Sequence, residues 1–317
     1  MKKLYKIVMK SRILNYLNKF HYYRYLAYRK HKYDVINDYK KEANRYYYPF
    51  FKSKIDWKNP KNLIEKIYWL QFNSDTSLWT KCADKYLVRD FVKEKGFSEY
   101  LPKLYGKWEN AKEIDFDSLP NRFVIKTNNA CGKNLIVTDK TKLNIKSTIK
   151  KLNRWLSIPY GYAAAQLHYT SINPCLIAEE FLENNISFSS SLIDYKVWCF
   201  HGKPEIVLVV FNRSDNGVDL SLYDLNWNKK SEFLLSSDHY RYSKKEIPKP
   251  ESLNKMIEIA KVLSRNIPQV RIDFYDINGK PYFGEMTFTS GFGRSFTKEY
   301  YDYLGSKIDL CKVELLI

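Results

Sequence analysis

The chain has 317 residues, 44% of them hydrophobic, and a formal charge of +18. That length buries a sizeable core and suits about two domains, while no unbroken apolar run approaches the roughly 20 residues a membrane-spanning helix needs. Cys82, Cys131, Cys175, Cys199 and Cys311 are scattered without C-x-x-C spacing, which argues against a disulfide framework or a zinc site and for a reducing cytoplasm.

The charge is uneven. Lys2, Lys3, Lys6, Lys10, Arg12, Lys19, Arg24, Arg29, Lys30 and Lys32 all precede the first acid, Asp34. Charges interrupt the apolar residues every few positions, so this is not a signal peptide. Leu4, Ile7, Val8, Ile13, Leu14, Leu17, Tyr25 and Leu26 recur among them at roughly helical spacing. A basic helical segment is therefore expected over 1–50, with two readings for residues 1–33. One is a helix packed on the protein with its Lys/Arg face in water. The other is peripheral contact with an anionic membrane at the inner face. With the charge at one terminus and no recognition motif, no nucleic-acid partner is expected.

Residues 51–121 are read as a helical region leading into the core. Leu63, Ile64, Ile67 and Leu70 keep a helical period over 61–72, and Leu87, Val88, Phe91 and Val92 repeat it over 84–95 with Gly96 as the stop. From residue 122 the period changes. Short strands are predicted over 122–126 and 135–137 around the loop 127–133. An amphipathic helix follows over 145–156, then strands over 175–182, 194–200 and 205–211, with His201-Gly202 in the turn between the last two. A helix over 251–267 precedes a final hairpin over 270–285. The boundaries are 122–182 for a small lobe and 183–317 for a large one, in an α+β enzyme with antiparallel sheets rather than a βαβ array.

The hairpin carries the chemistry. A two-residue Asn278-Gly279 turn in a regular ladder would set Asp273 against residue 284 and turn Glu285 to the opposite face. A three-residue loop over 277–279 brings Glu285 diagonal to Asp273 on one face, and that loop is predicted. Two carboxylates so placed can hold a hard cation such as Mg2+ through oxygen; the plain alternative is an edge hairpin with solvated acids. Arg271 flanks them, and Thr287, Thr289, Ser290, Gly291 and Gly293 follow at once, an arrangement suited to phosphoryl transfer.

Elsewhere, Lys126 ends a strand before the small-residue loop Thr127 to Gly132, which can place an ammonium and backbone N–H groups on phosphates. Glu179-Glu180 close an apolar strand, where adjacent carboxylates call for partners. Asp194 and Lys196 share a strand face. His168, His201 and His239 lack obvious partners and are read as structural.

In order, Asp84-Lys85, Val124-Ile125-Lys126 with its loop, Ile177 to Leu182, Asp194-Tyr195-Lys196, and Arg271-Ile272-Asp273 through Glu285-Met286-Thr287 resemble the ATP-grasp superfamily. The ending resembles D-alanine–D-alanine ligase. The spellings 82–89, 100–106, 194–202 and 282–288 resemble the TupA-like branch, named for teichuronopeptide synthesis, over about residues 50–300. The resemblance implies an ATP-grasp fold with ATP and Mg2+ as cofactors between two lobes. Lys85, Lys126 and Lys196 would hold phosphates beside Asp194, with Asn128 to Gly132 covering them. Glu180 and Leu182 would meet adenine, with Glu179 or Glu183 near the nucleotide. Asp273 and Glu285 would bind Mg2+, with Thr287 where the family usually has Asn. Arg271, with Lys196, would serve catalysis by stabilising an acyl-phosphate. Arg213, Ser290 and Arg294 are candidates to bind an anionic substrate. The implied reaction is carboxylate–amine ligation, joining a small amine to a glycan-linked or nucleotide-linked uronic acid of a bacterial surface polysaccharide. A kinase acting on a glycan hydroxyl is the alternative.

Overall fold

The computed structural model describes residues 21–183 and 188–315. The apolar positions from Leu4 to Leu17 and the basic ones from Lys2 to Lys19 lie outside the described residues. Helix α1, His21–Phe51, is broken at Asp38, whose backbone is extended (φ −161°, ψ 85°). The Asp38 carboxylate accepts from Lys41 N at 3.0 Å and so caps the second arm. Helix α2, Leu63–Asn73, starts at a full capping box of Asn62 and Glu65, a device worth about 1 kcal/mol. Helices α3, Ser77–Ala83, and α4, Val88–Glu94, follow, and Gly96 at φ +85° ends the run.

A four-stranded antiparallel sheet has the order β1-β4-β2-β3. Its members are β1 Leu104–Trp108, β2 Phe123–Thr127, β3 Asn134–Val137 and β4 Leu176–Glu180. Phe123 and Ile125 alternate into a core with Leu152 of helix α5, Ile145–Leu156. Their neighbours Val124 and Lys126 face the other way, toward a cavity.

The six-stranded sheet has the order β10-β9-β5-β6-β7-β8. Strands β5 Asp194–Phe200, β6 Lys203–Ser214, β7 Gly217–Asp224, β9 Gln269–Ile277 and β10 Lys280–Thr287 pair antiparallel; β8 Tyr240–Tyr242 pairs parallel to β7. One face packs on helix α6, Leu253–Leu263, and belongs to the core that also takes α2, α3, α4 and helix α7, Lys298–Ser306. The other face lines the cavity.

Two expectations need correcting. The four-stranded sheet reaches back to Leu104 rather than beginning at 122, so the region 51–121 is shared between the lobes. Strand β1 shows no clean in–out alternation and carries a bulge between Leu104 and Gly106, so no period of two marked it. The final hairpin turns on two residues, not three: Ile277 pairs with Lys280, and Asn278 and Gly279 both have positive φ (52° and 78°), as a type I′ turn requires. Asp276 holds this turn by accepting from Gly279 N at 3.0 Å and ties it to α6 by accepting from Ser252 N at 3.0 Å. The extra residue lies further along, where Gly284 forms a bulge between Phe283 and Glu285. A Cβ there would lie 3.0 Å from the Asp273 carbonyl oxygen, which explains the glycine. The bulge sets Glu285 directly opposite Asp273.

Candidate active site

A cavity of ≈ 1300 Å³ lies between the two sheets. Its apolar part is formed by Val124 and Ile136 from the small sheet, by Leu208, Val210 and Leu220 from the large one, and by Leu182 between them. These side chains make an apolar slot in an otherwise charged cavity. Its polar floor is the cavity-facing side of β5, β9 and β10.

There the carboxylates and cations interlock. Lys196 sits opposite Asp273 in the ladder and forms an ion pair with its Oδ2. Arg271 donates to Asp273 from Nε at 2.6 Å and from Nη2 at 2.8 Å, and to Glu285 at 3.1 Å. It also donates to Thr287 Oγ1 at 3.0 Å and lies 5.4 Å from the Trp198 ring centre. Lys85 approaches Glu285 Oε2 at 3.2 Å and donates to the Ala130 carbonyl at 3.1 Å, so it joins the loop of the small sheet to the hairpin of the large one. Burial alone would raise the Glu285 carboxyl, but Lys85, Lys196 and Arg271 outweigh it and hold it well below the usual range. Burial would likewise lower the Arg271 guanidinium, and Asp273 reverses that. Asp194, pulled down by Lys196 and Arg213 against its own burial, accepts from Arg213 Nε at 3.0 Å.

Three cations, Lys85, Lys196 and Arg271, thus face the Asp273 and Glu285 carboxylates. Asp273 and Glu285 are hard oxygen donors in register on one face, so the residues present fit a Mg2+ ion. A metal–polyphosphate complex could replace each ion pair partner for partner, the acids taking the metal and the cations the phosphates.

Of the positions expected from sequence, Lys85, Lys126, Gly132, Glu180, Leu182, Glu183, Asp194, Lys196, Arg213, Arg271, Asp273, Glu285, Thr287 and Arg294 all line this cavity. Three side chains do not. Asn128 is buried with both ends engaged, donating to Asp84 at 2.8 Å and to the Asn173 carbonyl at 2.9 Å while accepting from Cys175 N at 2.8 Å. It pins the loop and is not free to bind a nucleotide. Glu179 is buried between Arg89 and Lys126, both at 2.8 Å; it positions Lys126 instead of meeting ligand. Ser290 is fully buried and donates to Gln269 Oε1 at 2.8 Å, so it cannot reach a substrate. Glu183 lines the cavity but also pairs with Arg122 at 2.9 Å.

Sequence reasoning missed the contribution of α1 and of several aromatics. Glu42, Arg45 and Tyr46 of α1 form one wall, with Arg294 stacked 4.2 Å from the Tyr46 ring centre. Among the described residues the Arg294 Nε and the Tyr46 hydroxyl are buried without hydrogen-bond partners, and burial raises the Tyr46 hydroxyl to about 12. Tyr160, Tyr169, His239 and Tyr240 also line the cavity. Abundant tyrosine was the available signal, but it does not distinguish a core ring from a lining one. His168 and His201 do sit in packing roles, the first buried and the second accepting from Asp309 N at 2.9 Å.

A family model described as TupA-like ATPgrasp matches residues 65–309. No curated protein matches the chain. Among solved structures, D-alanine–D-alanine ligase from Bacillus anthracis complexed with ATP is 14% identical with a TM-score of 0.45, over 75% of this chain and 66% of that one. Phosphoribosylamine–glycine ligase from Thermotoga maritima is 15% identical with a TM-score of 0.40, over 68% of this chain and 50% of that one. The ATP-grasp ligase PsnB, complexed with Mg, ADP and a phosphomimetic variant of its minimal precursor, is 11% identical with a TM-score of 0.36, over 71% and 57%. The chain spans between half and about two thirds of the length of these proteins.

Proposed function

Since the chain belongs to the TupA-like ATP-grasp family, we propose that it is an ATP-dependent, amide-forming carboxylate–amine ligase. The observation that carries this reading is the in-register pair Asp273 and Glu285, ringed by Lys85, Lys196 and Arg271 on the floor of a cavity between two sheets. A bound Mg2+ would neutralise phosphate charge and polarise the transferring group. Lys126, held by Glu179, and Lys85, held by the loop, reach the phosphates from the small-sheet side. Lys196 and Arg271 lie beneath them, where charge develops as the γ-phosphoryl group passes to a substrate carboxylate. The amine then attacks that acyl-phosphate, and phosphate leaves. No covalent enzyme nucleophile is required.

Arg294 is the better of the two candidate ligands for an anionic acceptor. Arg213 is already committed to Asp194, whereas Arg294 keeps an unpartnered Nε against Tyr46. The acceptor is proposed to be a uronic acid of a bacterial surface polysaccharide, its carboxylate activated and its amine partner an amino acid or small amino alcohol. The test is ADP release from uronate-bearing acceptors crossed with amines, with products identified by mass. An amide formed only when both are present is expected. A stable phosphorylated sugar made without amine would replace the ligase reading with a kinase.

A further inference from the structure

Among the described residues, seven buried side-chain polar atoms have no hydrogen-bond partner. Folded proteins leave few such atoms, and each calls for a reason. One of the seven, Glu42 Oε2, is ion-paired with Arg45 at 2.6 Å and so is accounted for. Three of the other six, the Tyr46 hydroxyl, the Trp198 Nε1 and the Arg294 Nε, belong to side chains that line the cavity between the sheets. Their surroundings connect them. The Arg294 guanidinium lies 4.2 Å from the Tyr46 ring centre, and Phe292 stacks on the same ring at 5.1 Å. Phe296, two residues after Arg294, meets the Trp198 ring edge-on at 5.5 Å. Trp198 in turn stands opposite Arg271 in the ladder, one same-face step of about 7 Å from the Lys196–Asp273 rung. The three atoms thus continue the charged floor toward the second arm of α1.

All three are donors. The indole N–H and the guanidinium Nε–H cannot accept, and the Tyr46 hydroxyl, raised to about 12 by burial, stays protonated at neutral pH. A ligand that satisfies them brings oxygen acceptors, at least one of them anionic to suit Arg294. Tyr46, Phe292 and Tyr240 add apolar ring surface beside these donors. A Cβ on Gly293 would lie 2.9 Å from the Tyr240 hydroxyl, so the glycine makes room for that ring at the cavity wall. A carboxylate with neighbouring ring hydroxyls offers the matching set of groups. An amine substrate does not, because its ammonium needs an acceptor. The acid on this wall, Glu42, is already taken by Arg45 and by His31 at 2.8 Å.

We propose that Tyr46, Trp198 and Arg294 form a subsite that holds a sugar acid through its oxygens and sets specificity for the acceptor rather than for the amine. That the sugar acid is the acceptor rests on the ligase reading; that it binds here does not. The experiment is a titration of the full chain, labelled with 15N-tryptophan and free of ATP, followed by its indole N–H resonances. The sequence has seven tryptophans, and the resonance missing from Trp198→Phe is that of Trp198. D-glucuronate should move it, D-glucose should need about tenfold more to do so, and glycine should leave it in place. Tyr46→Phe removes only a buried hydroxyl without a partner, so its urea midpoint should match or exceed that of the wild type. Its affinity for glucuronate should nonetheless fall about fivefold. A Trp198 resonance that glucuronate leaves unmoved would overturn the proposal. So would glycine moving it as strongly, which would give the subsite to the amine. Tyr46→Phe with a lower urea midpoint and unchanged glucuronate affinity would make the hydroxyl structural and overturn it as well. Glucuronate binding as expected, with no amide formed in the turnover screen, would leave the subsite standing and remove the ligase reading. Amide formed by Tyr46→Phe with an unchanged acceptor KM would remove the subsite and leave the ligase reading.

Discussion

The two sheets each hold a lysine against a carboxylate on a neighbouring strand, and the two pairs behave differently. Lys126 meets Glu179, which is buried away from the cavity and also takes Arg89, itself donating to the Pro102 carbonyl. Lys196 meets Asp273, which faces the cavity and shares Arg271 with Glu285. In the small sheet the acid has no reason to change partners, so it works as a fixed anchor for Lys126. In the large sheet the acid is one of two that an incoming cation can take over. Similar sequence signs, a strand Lys and a strand acid, thus mark a scaffold in one lobe and an exchangeable site in the other.

The largest expected effect tests the exchangeable pair. Asp273→Asn and Glu285→Gln should each lower Mg2+-dependent ADP formation by about 10³-fold while leaving the chain folded; full turnover in both would remove the metal-site assignment. Next comes the anchor. Glu179→Gln leaves Arg89 buried without its counter-charge and should cost about 3 kcal/mol in denaturant unfolding. If Glu179→Gln unfolds like the wild type yet loses nucleotide binding, Glu179 touches ligand after all. A third test separates carboxylates from histidine on the acid side. Burial lowers His168 from 6.5 to about 3, so the unfolded chain takes up a proton there before the folded one does. Its contribution is complete above pH 6.5 and is lost as pH falls toward 3, about 2 kcal/mol by pH 5. His168→Gln should flatten that loss in unfolding curves at pH 7 and pH 5. The smallest effect is at Thr287, whose hydroxyl accepts from Arg271 and lies 3.3 Å from Glu285 Oε1. Thr287→Val should change kcat by less than about tenfold; a loss matching Asp273→Asn would make the hydroxyl a ligand in its own right.

Much of this was legible because it depends on local pattern. The period change near residue 122, the amphipathic helix at 145–156 and the acids of the hairpin follow from spacing, and the cavity gathers most of the residues that spacing and the family resemblance together named. What failed was relational. Asn128, Glu179 and Ser290 have the right chemistry for a site, but their partners Asp84, Arg89 and Gln269 lie 44, 90 and 21 residues away in the chain, and no local pattern reports such closures. The wall from α1 was hidden for the same reason: Glu42, Arg45 and Tyr46 line the cavity where Ala164 and Arg294 close on that helix. The hairpin was right in outcome and wrong in cause, since the extra residue sits at Gly284 rather than in the turn.

That displaced residue gives the hairpin an uneven tolerance to changes in length. β10 holds one residue more than its ladder needs between the turn and Glu285. Losing any residue of that stretch would let the ladder close up with the glutamate still opposite Asp273, the strand becoming straighter but its acid unmoved. Gaining one has no such slack to draw on and would send the carboxylate into the apolar side beside α6. Natural variation in this hairpin should therefore run toward shortening and seldom toward single-residue growth.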